Sequence, residues 1–420
     1  MNGRLSLVHP TSNPFARNAA IALADAGLLH EVITTTAYDP QGRLAGLLKQ
    51  VPGGVGDRLH RNLARRAWAA PAGATMRSHP WREIIRVGLT QAGVSHRLSL
   101  VNPRLGYQGL IDWVYASLDR HVAACHLPDV DAIYAYEDGA AATFQAAKQQ
   151  GKRCFYDLPI PFYRTHHAIQ AEEAERFPEL ASALQALQEP AWKLARKELE
   201  LQLADHIIVA SSMTRRSLLA EGVPPERISV IPYGAPLDYF QPRTKSDRQF
   251  RALFVGRVGP RKGVHYLLPA WQRLALPDAE LLLVGINEFP AGWLAPYDHN
   301  LRYCPSVPHA SLNGYYSAAS VLVLPSLMEG FGLVLLEAMA CGIPVITTPN
   351  TAGPDILTDG VDGFIVPIRT EEQLAEKLEW CYRHPHELAE MGRAARRTAE
   401  RWTWQRYRQA LAHQVQLLMS

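Results

Sequence analysis

The chain has 420 residues, a formal net charge of +3, and 47% hydrophobic and 20% charged residues. This length exceeds one ordinary hydrophobic core and fits two domains, while the composition excludes a disordered chain or a disulfide-rich mini-protein. A net charge this small gives no support for a nucleic-acid partner.

Hydrophobic runs that alternate with helical segments predict an α/β domain in the first half. The strand LSLVH leads into the polar loop PTSNPFARN and an Ala-rich helix that ends at Gly27. The strands DAIYAY and RCFYDL flank a predicted helix over 139–150. A long helix is predicted over 172–204, and the apolar run HIIVAS predicts a buried strand after it. Open sheets of this kind bind ligands at the carboxyl ends of their strands, so the loops that follow the strands are candidate sites.

A segment rich in Pro and Gly, VIPYGAPLDYFQPRTKSD, predicts a domain boundary near 236–248. The strands RALFV, AELLLV, VLVLP and PVITT follow at crossover spacing, which predicts a second doubly wound domain. We therefore expect a first domain over 1–240, a second over 241–400 and a C-terminal helix over 401–420.

The segment PSLMEGFGLVLLEAMACGIPVITT carries the most specific signal. Gly330 and Gly332 allow a close approach of backbone to a ligand, and the free amides of a helix beginning near Leu333 favour a phosphate. Glu337 suits the paired hydroxyls of a ribose, and Glu329 the hydroxyls of a sugar. The alternative is a strand, loop and helix whose carboxylates are merely solvated.

A second loop, FVGRVGPRKGV, follows the strand RALFV and carries Arg257 and Lys262. Fixed cations of this kind stabilise the negative charge that develops on a diphosphate leaving group. A single basic loop is often only a solvated surface, but its pairing with the Glu-containing loop in one domain favours a diphosphate site.

Together these motifs resemble the retaining nucleotide-sugar glycosyltransferases that include sucrose synthase, glycogen synthase relatives and phosphatidylinositol mannosyltransferases, a group similar to glycosyltransferase family 4. The resemblance covers most of the chain and is tightest over 252–367. It implies the GT-B fold, in which two Rossmann-like, doubly wound α/β domains face a cleft, and it implies a retaining, metal-independent reaction. It also implies that the C-terminal helix crosses back to the first domain.

By this resemblance Arg257 and Lys262 bind the diphosphate, Glu329 contacts the donor sugar, and Glu337 holds the ribose. The first three are the candidate catalytic residues of the second domain. The full set of expected donor-binding residues is Gly256, Arg257, Lys262, Glu329, Gly330, Phe331, Gly332, Leu333, Val334 and Glu337.

The first half departs from the family pattern in two places. The first loop lacks the glycine pair of many members, so Asn13, Arg17 and Asn18 are candidates for phosphate or acceptor contacts through their side chains. Where many members carry a His, the sequence DAIYAYEDGAA offers Glu137 and Asp138 as candidate catalytic carboxylates. The alternative is that Asp138 caps the following helix.

The implied reaction moves a sugar from a nucleotide diphosphate to an acceptor hydroxyl in glycan, polysaccharide or glycolipid synthesis. A UDP- or GDP-linked donor is expected over an ADP-linked one, and no cofactor is expected because the donor is a substrate. No metal is expected either, because the resemblance implies a metal-independent reaction and Arg257 and Lys262 would supply the cations. The acceptor is a glycan, a lipid-linked molecule or a small molecule. Two alternatives stay open: a nucleotide-sugar epimerase of the same fold, and a non-catalytic subunit that binds sugar nucleotides.

Charge is unevenly placed, with nine Arg and two acids over 57–104. Arg58, Arg61 and Arg65 recur at helical spacing beside Leu59, Leu63 and Trp68, as on a basic amphipathic surface. This surface is either a solvated face or a contact for anionic lipid or a phosphorylated acceptor. No run reaches the roughly 18 apolar residues of a membrane span, and no signal peptide is visible, so we expect a cytoplasmic protein that sits at most peripherally on the inner face of the membrane.

Overall fold

A computed structural model of the chain describes residues 3–39, 42, 45–46, 67–94, 106–297 and 300–420. It contains two compact units, each built from separate stretches of chain. The first unit comprises Met1–Leu158, Ala191–Ile208 and Arg408–Ser420, and the second comprises Pro159–Pro190 and Val209–Tyr407. The expected domain limits stay predictions, because compactness alone does not test which stretches fold independently.

The first sheet has the strand order β3-β2-β1-β4-β5-β6-β7. Its strands are β1 Leu5–Val8, β2 Leu29–Thr34, β3 Thr75–Ser78, β4 Ala132–Tyr136, β5 Arg153–Leu158, β6 His206–Val209 and β7 Ile228–Val230. The helices along this part of the chain are α1 Pro14–Asp25, α2 Trp81–Gln91, α3 Tyr107–Cys125, α4 Ala141–Gln149, α5 Tyr163–Arg176, α6 Ala191–Leu203 and α7 Ser212–Ala220. Because β1 pairs in parallel with both β2 and β4, the order of the strands reverses between β1 and β4.

The second sheet has the order β10-β9-β8-β11-β12-β13. Its strands are β8 Phe250–Val255, β9 Ala279–Val284, β10 Leu301–Cys304, β11 Val321–Leu324, β12 Val345–Thr347 and β13 Gly363–Ile365. The helices are α8 Val264–Leu274, α9 Leu312–Ala318, α10 Leu333–Ala340, α11 Gly353–Ile356, α12 Glu371–Arg383, α13 Pro385–Arg401 and α14 Trp404–Met419. Here the order reverses between β8 and β11, which pair in parallel.

The cores of the two units lie on the central strands, whose residues are apolar on both faces, as a parallel sheet covered by helices requires. Strands β1, β4 and β11 are buried along their whole length. The strands predicted from hydrophobic runs are confirmed, and β2, β3, β7, β10 and β13 are additional. Within the described residues, no helix is both long and apolar enough to cross a bilayer.

The single long helix expected over 172–204 is wrong. Helix α5 ends at Arg176, two short turns of 3-10 helix follow, and α6 begins at Ala191. Pro178 and Pro190 stand at the two breaks, and proline has no amide hydrogen to donate within a helix.

Asp157 lies at the end of β5 and is buried, with the Tyr134 hydroxyl donating to it at 2.6 Å. Burial raises the pKa of Asp157 from 3.8 to about 7, although hydrogen bonds from Tyr134 and Tyr136 oppose this shift. The folded chain therefore binds the carboxyl proton of Asp157 more tightly than the unfolded chain does. The contribution of the protonated carboxyl to stability is complete below about pH 4 and is lost as the pH rises through about 7.

We predict that Asp157→Asn removes this dependence on pH. As the pH rises from about 5 to about 8, ionisation of this carboxyl lowers the free energy of unfolding of the native chain by about 3 kcal/mol. The variant shows no such decrease, because it has no carboxyl to ionise. Urea unfolding at both pH values measures it, with Asp129→Asn at an exposed position of the same unit as the control. A variant with the same pH dependence as the native chain contradicts the assignment.

Candidate donor site

Two loops of the second unit lie side by side at the carboxyl edge of its sheet. One follows β8 and leads into α8, and the other follows β11 and leads into α10. Since β8 and β11 are paired in parallel at the point where the strand order reverses, the loops that follow them meet at the usual ligand-binding position of an open α/β sheet.

Glycines allow these loops to pack closely. Gly263 has φ of 69°, and a Cβ added there would lie 2.0 Å from the carbonyl oxygen of Pro325 in the other loop. A Cβ on Gly330 would lie 1.7 Å from the carbonyl oxygen of Pro159. The backbone approach at Gly263 therefore sets the distance between the two loops, and no side chain fits at either glycine.

An ion pair joins the two loops. The ammonium group of Lys262 contacts Oε1 of Glu329, and the same oxygen accepts hydrogen bonds from Arg261 at 3.3 Å and from the Ser326 hydroxyl at 3.2 Å. Burial and then the positive charge of Arg261 lower the pKa of Lys262. A negatively charged partner is therefore needed to keep this side chain protonated.

The structure separates the two cations that the sequence had grouped. Arg257 pairs with Glu288 at 2.5 Å, and its side chain is 52% exposed. Arg261, which sequence reasoning passed over, instead lies beside Lys262 and also donates to the carbonyl oxygen of Met328 at 3.2 Å. The motif GRVGPRKG identified the loop, but the spacing of its residues does not tell which of its cations faces Glu329.

Glu337 lies on α10, buried, with two protein donors. Nε2 of His309 is 2.8 Å from Oε1, and the Tyr316 hydroxyl donates to Oε2 at 2.7 Å. The His309 side chain is 57% exposed, whereas Tyr316 is fully buried. Burial and then the charge of Glu337 raise the pKa of Tyr316, so the hydroxyl stays a donor. Sequence reasoning missed both donors, because their contacts with Glu337 join segments that are distant in the sequence.

The loop before α10 is held by side chains of its own unit. The carbonyl oxygen of Gly330 accepts hydrogen bonds from the hydroxyls of Ser211 and Thr214, and the ring of Phe331 packs 5.2 Å from that of Tyr233. Gly332 in this loop has φ of 87°, and Gly256 in the loop after β8 has φ of 147°. Both are backbone conformations that favour glycine. The remaining expected contacts of this loop, both partly exposed in the first turn of α10, are Leu333 and Val334.

The start of α10 differs from the start of α4 in charge. No acidic residue occupies the first turn of α10, and among the described residues no side chain caps it. At α4, by contrast, Asp119 accepts hydrogen bonds from the amides of Ala142 and Thr143 at 2.9 Å, and Glu200 accepts from Ala140 at 2.9 Å. The first unit fills its helix terminus with its own carboxylates, whereas the terminus in the second unit suits an external anion.

The two candidate carboxylates of the first unit are in ion pairs. Lys193 lies 3.1 Å from Asp138, and Lys197 lies 3.5 Å from Glu137. The alternative that Asp138 caps α4 is wrong, because the capping position belongs to Ala140 and no side chain makes the cap hydrogen bond. Asp138 instead has φ of 66°, and its amide donates to Glu200 at 2.9 Å.

The polar side chains of the first loop serve the local structure. Asn13 caps α1 by accepting from the amide of Ala16 at 2.8 Å, Asn18 donates to the carbonyl oxygen of Pro14, and Arg17 donates to that of Ala67 at 3.3 Å. Their roles as ligand contacts stay predictions.

His9, at the end of β1, was missed by the sequence reading. Its ring lies 4.6 Å from that of Tyr136 at the end of β4, across the reversal of the strand order. Burial lowers the pKa of His9 to about 4, so this imidazole is neutral at physiological pH. The residue had no motif around it, and only the pairing of β1 with β4 makes it a candidate.

Two family models match the chain in adjacent segments. Residues 77–239 match "Glycosyltransferase Family 4", and residues 238–398 match "Glycosyl transferases group 1". Both segments thus match glycosyltransferase families, and together the two matches span residues 77–398. The resemblance drawn from the sequence motifs is thereby confirmed, as is the GT-B class of two α/β units with parallel sheets.

Relatives named as glycosyltransferases match part of the chain, and solved structures share its fold. A D-inositol 3-phosphate glycosyltransferase of Segniliparus rotundus is 29% identical over 270 residues, 59% of this chain and 59% of that protein. The chain thus matches less than two thirds of this relative's length. The sucrose-phosphate synthase structure from Thermosynechococcus elongatus has a TM-score of 0.66 at 21% identity, covering 99% and 98% of the two chains. The structure of Anabaena HepE in complex with UDP-glucose has a TM-score of 0.60 at 17% identity, covering 98% and 99%.

The basic cluster of Arg58, Arg61, Arg65 and Arg66 lies outside the described residues. Its place on the first unit therefore stays a prediction. The expectation that Trp68 shares this exposed surface is wrong, because its side chain is buried at 3% exposure.

We predict that Gly263→Ala destabilises the chain more than Gly360→Ala does. Both glycines have positive φ, 69° and 76°, which costs an alanine about 1 to 2 kcal/mol. A Cβ at Gly360 has nothing within 4 Å, whereas a Cβ at Gly263 meets the Pro325 carbonyl. Gly263→Ala must therefore also push the two loops apart. Thermal unfolding compares the variants, and equal losses of stability would show that the loops are not held at contact distance.

Proposed function

We propose that the chain is a retaining glycosyltransferase that moves a sugar from a UDP- or GDP-linked donor to an acceptor hydroxyl. One observation carries the proposal: Lys262 and Arg261 face Glu329 across two touching loops at the strand reversal. Glu337 is buried on the helix that one of these loops opens. Cations, a free helix terminus and two carboxylates are what a diphosphate joined to a ribose and a sugar would need.

In this proposal the bound donor breaks the ion pair between Lys262 and Glu329 and contacts both side chains itself. The diphosphate takes the ammonium group of Lys262, and the Glu329 carboxylate turns to the hydroxyls of the sugar. The amides at the start of α10 receive phosphate oxygens. The ribose hydroxyls reach Oε1 of Glu337 from the side where the exposed His309 now lies, while Tyr316 keeps Oε2 in place.

The reaction we propose is a front-face displacement. The bond between the anomeric carbon and the diphosphate breaks, and the acceptor oxygen forms its bond on the same face while its proton passes to the departing phosphate. No protein nucleophile is required. Lys262 and Arg261 stabilise the charge that develops on the leaving group, and the loss of one such donor typically slows a reaction about 10² to 10³-fold.

Incubation with radiolabelled nucleotide-sugars tests this function against its two rivals. Transfer to an acceptor, or slow release of free nucleotide and sugar, supports the transferase. An altered sugar on an intact nucleotide supports an epimerase, and unaltered donor supports a binding subunit. The named relatives make an inositol phosphate a reasonable first acceptor, beside lipid-linked and glycan acceptors.

We predict that the two carboxylates divide the donor between them. Glu337→Ala weakens binding of free UDP or GDP by about 10- to 100-fold, the usual value of hydrogen bonds to a charged group. Glu329→Ala retains binding of the free nucleotide, because it releases Lys262 from its ion pair, but loses turnover of the intact donor. Titration calorimetry and a transfer assay measure the two effects, with Glu372→Ala, at a side chain 71% exposed, as the control.

Equal losses of free-nucleotide binding in the two variants would refute this division. The same titration with EDTA tests the proposal that no metal or cofactor serves the donor site. Nucleotide affinity is expected to persist in the chelator, and its disappearance would require a metal in the second unit.

We further propose that the first unit contacts anionic membrane loosely. Helix α2 supports this, because Trp81, Ile84 and Ile85 are 48%, 65% and 44% exposed, and nearby Tyr107 is 55% exposed. Exposed aromatic and aliphatic side chains of this kind bury themselves in the headgroup region when basic residues hold a helix there. The four Arg over 58–66 would supply that attraction, at about 1 kcal/mol each.

We predict that the chain sediments with anionic vesicles at low salt and that changing Arg58, Arg61, Arg65 and Arg66 to Gln abolishes this. The attraction fades with salt because it is screened. The control carries the same change of charge at exposed positions of the second unit: Arg273, Arg383, Arg393 and Arg397 to Gln. Native protein that stays in solution at low salt, or equal losses in both variants, would overturn the proposed surface.

A further inference from the structure

Three histidines from distant parts of the sequence meet in the first unit. His79 lies between β3 and α2, His121 lies in the last turns of α3, and His126 follows that helix. One ligand nitrogen from each lies within 4.8 Å of the others. The centres of the His79 and His121 rings are 4.1 Å apart, and each is 5.4 Å from that of His126.

This spacing is close to that of a tetrahedral zinc site. Zinc binds imidazole nitrogens at about 2.0 to 2.1 Å, so two nitrogens of one site lie about 3.3 to 3.4 Å apart. The three nitrogens need to approach one another by at most about 1.5 Å, which rotation of the side chains can supply. Three imidazoles leave the fourth position for water.

The ring of His126 is oriented as a metal ligand would be. Its Nδ1 lies 3.0 Å from Oε1 of Glu31 on β2, which leaves Nε2 for the cluster. A carboxylate on the far nitrogen of a ligating histidine fixes its tautomer and raises its basicity. Glu31 is itself buried and held by the Ser6 hydroxyl at 3.2 Å and by Arg77 at 3.3 Å.

His79 presents a nitrogen that nothing in the described part of the chain satisfies. Its Nε2 is buried and has no hydrogen-bond partner there, although its amide donates to Thr34 of β2 at 2.9 Å. A buried imidazole nitrogen that lacks a protein partner is available to coordinate a metal ion.

The charges around the cluster have both signs. Arg82 faces it from α2 with its Nε donating to the Ser117 hydroxyl, and Arg120 lies nearby on α3. Glu31 faces it from β2. A divalent ion is thus attracted by one carboxylate and repelled by two guanidinium groups, so its affinity must come from the three imidazoles.

We propose that His79, His121 and His126 bind one divalent zinc-type cation and that Glu31 orients His126 for this. The ion joins the connection before α2 to the end of α3 and, through Glu31, to β2. It thereby fixes the start of α2, the helix with the exposed apolar side chains. The site belongs to the first unit and is independent of the function proposed for the second.

The test is a titration of the full, tag-free chain with Zn²⁺, followed by Co²⁺, whose visible absorption reports tetrahedral coordination. We expect about one ion per chain, an absorption band typical of tetrahedral Co²⁺, and a rise in melting temperature on binding. His121→Gln is expected to weaken Zn²⁺ binding at least about 100-fold, and Glu31→Gln about 10- to 100-fold. Arg82→Gln is expected to strengthen it by removing a positive charge.

Two controls separate the cluster from other ligands. His386→Gln changes an exposed histidine of the second unit, and Cys125→Ser removes the exposed thiol next to His126; both are expected to bind Zn²⁺ as the native chain does. Circular dichroism and nucleotide binding are measured on every variant, and both are expected to be unchanged in His121→Gln. No saturable binding by the native chain, or an unchanged affinity in a correctly folded His121→Gln, overturns the proposal.

Discussion

The buried contact between Lys262 and Glu329 is the interaction on which the candidate site depends. It joins two loops whose backbones touch at Gly263 and Pro325, so the two side chains stay on neighbouring backbone segments. A buried ion pair gains little net stability, because desolvation of the charges offsets their attraction, but leaving one charge alone costs about 3 to 5 kcal/mol. Such a pair is suited to a ligand that replaces both partners at once. A diphosphate and a sugar hydroxyl would do this together, which makes binding of the two halves of a donor interdependent.

The two units have the same type of sheet but treat their helix termini differently. Asp119 and Glu200 satisfy the amides at the start of α4, which removes an anion site from the first unit. The start of α10 has no such carboxylate within the described residues. This difference between the two helix starts supports binding of the phosphorylated substrate by the second unit. The first unit instead carries the histidine cluster. The positive φ of Asp138 and its pairing with Lys193 are part of the same buried network.

The sequence predicted most of the sheets because their central strands are unbroken apolar runs. It failed at β3, TMRS, which is an edge strand with exposed side chains and so has no apolar pattern. It also failed at the helix over 172–204, where two prolines outweighed good helical composition. In the site, the glycines and Glu329 were predictable since they lie within one motif. Arg261, His309 and Tyr316 were not, because side-chain direction and contacts between distant segments decide their roles.

A crystal structure of the chain with a bound nucleotide-sugar would show whether the donor replaces the ion pair between Lys262 and Glu329. We predict that the diphosphate lies against Lys262 and the start of α10, that the ribose hydroxyls contact Glu337, and that Glu329 has left Lys262 for the sugar. A nucleotide bound elsewhere, or bound here with the contact between Lys262 and Glu329 intact, would contradict it.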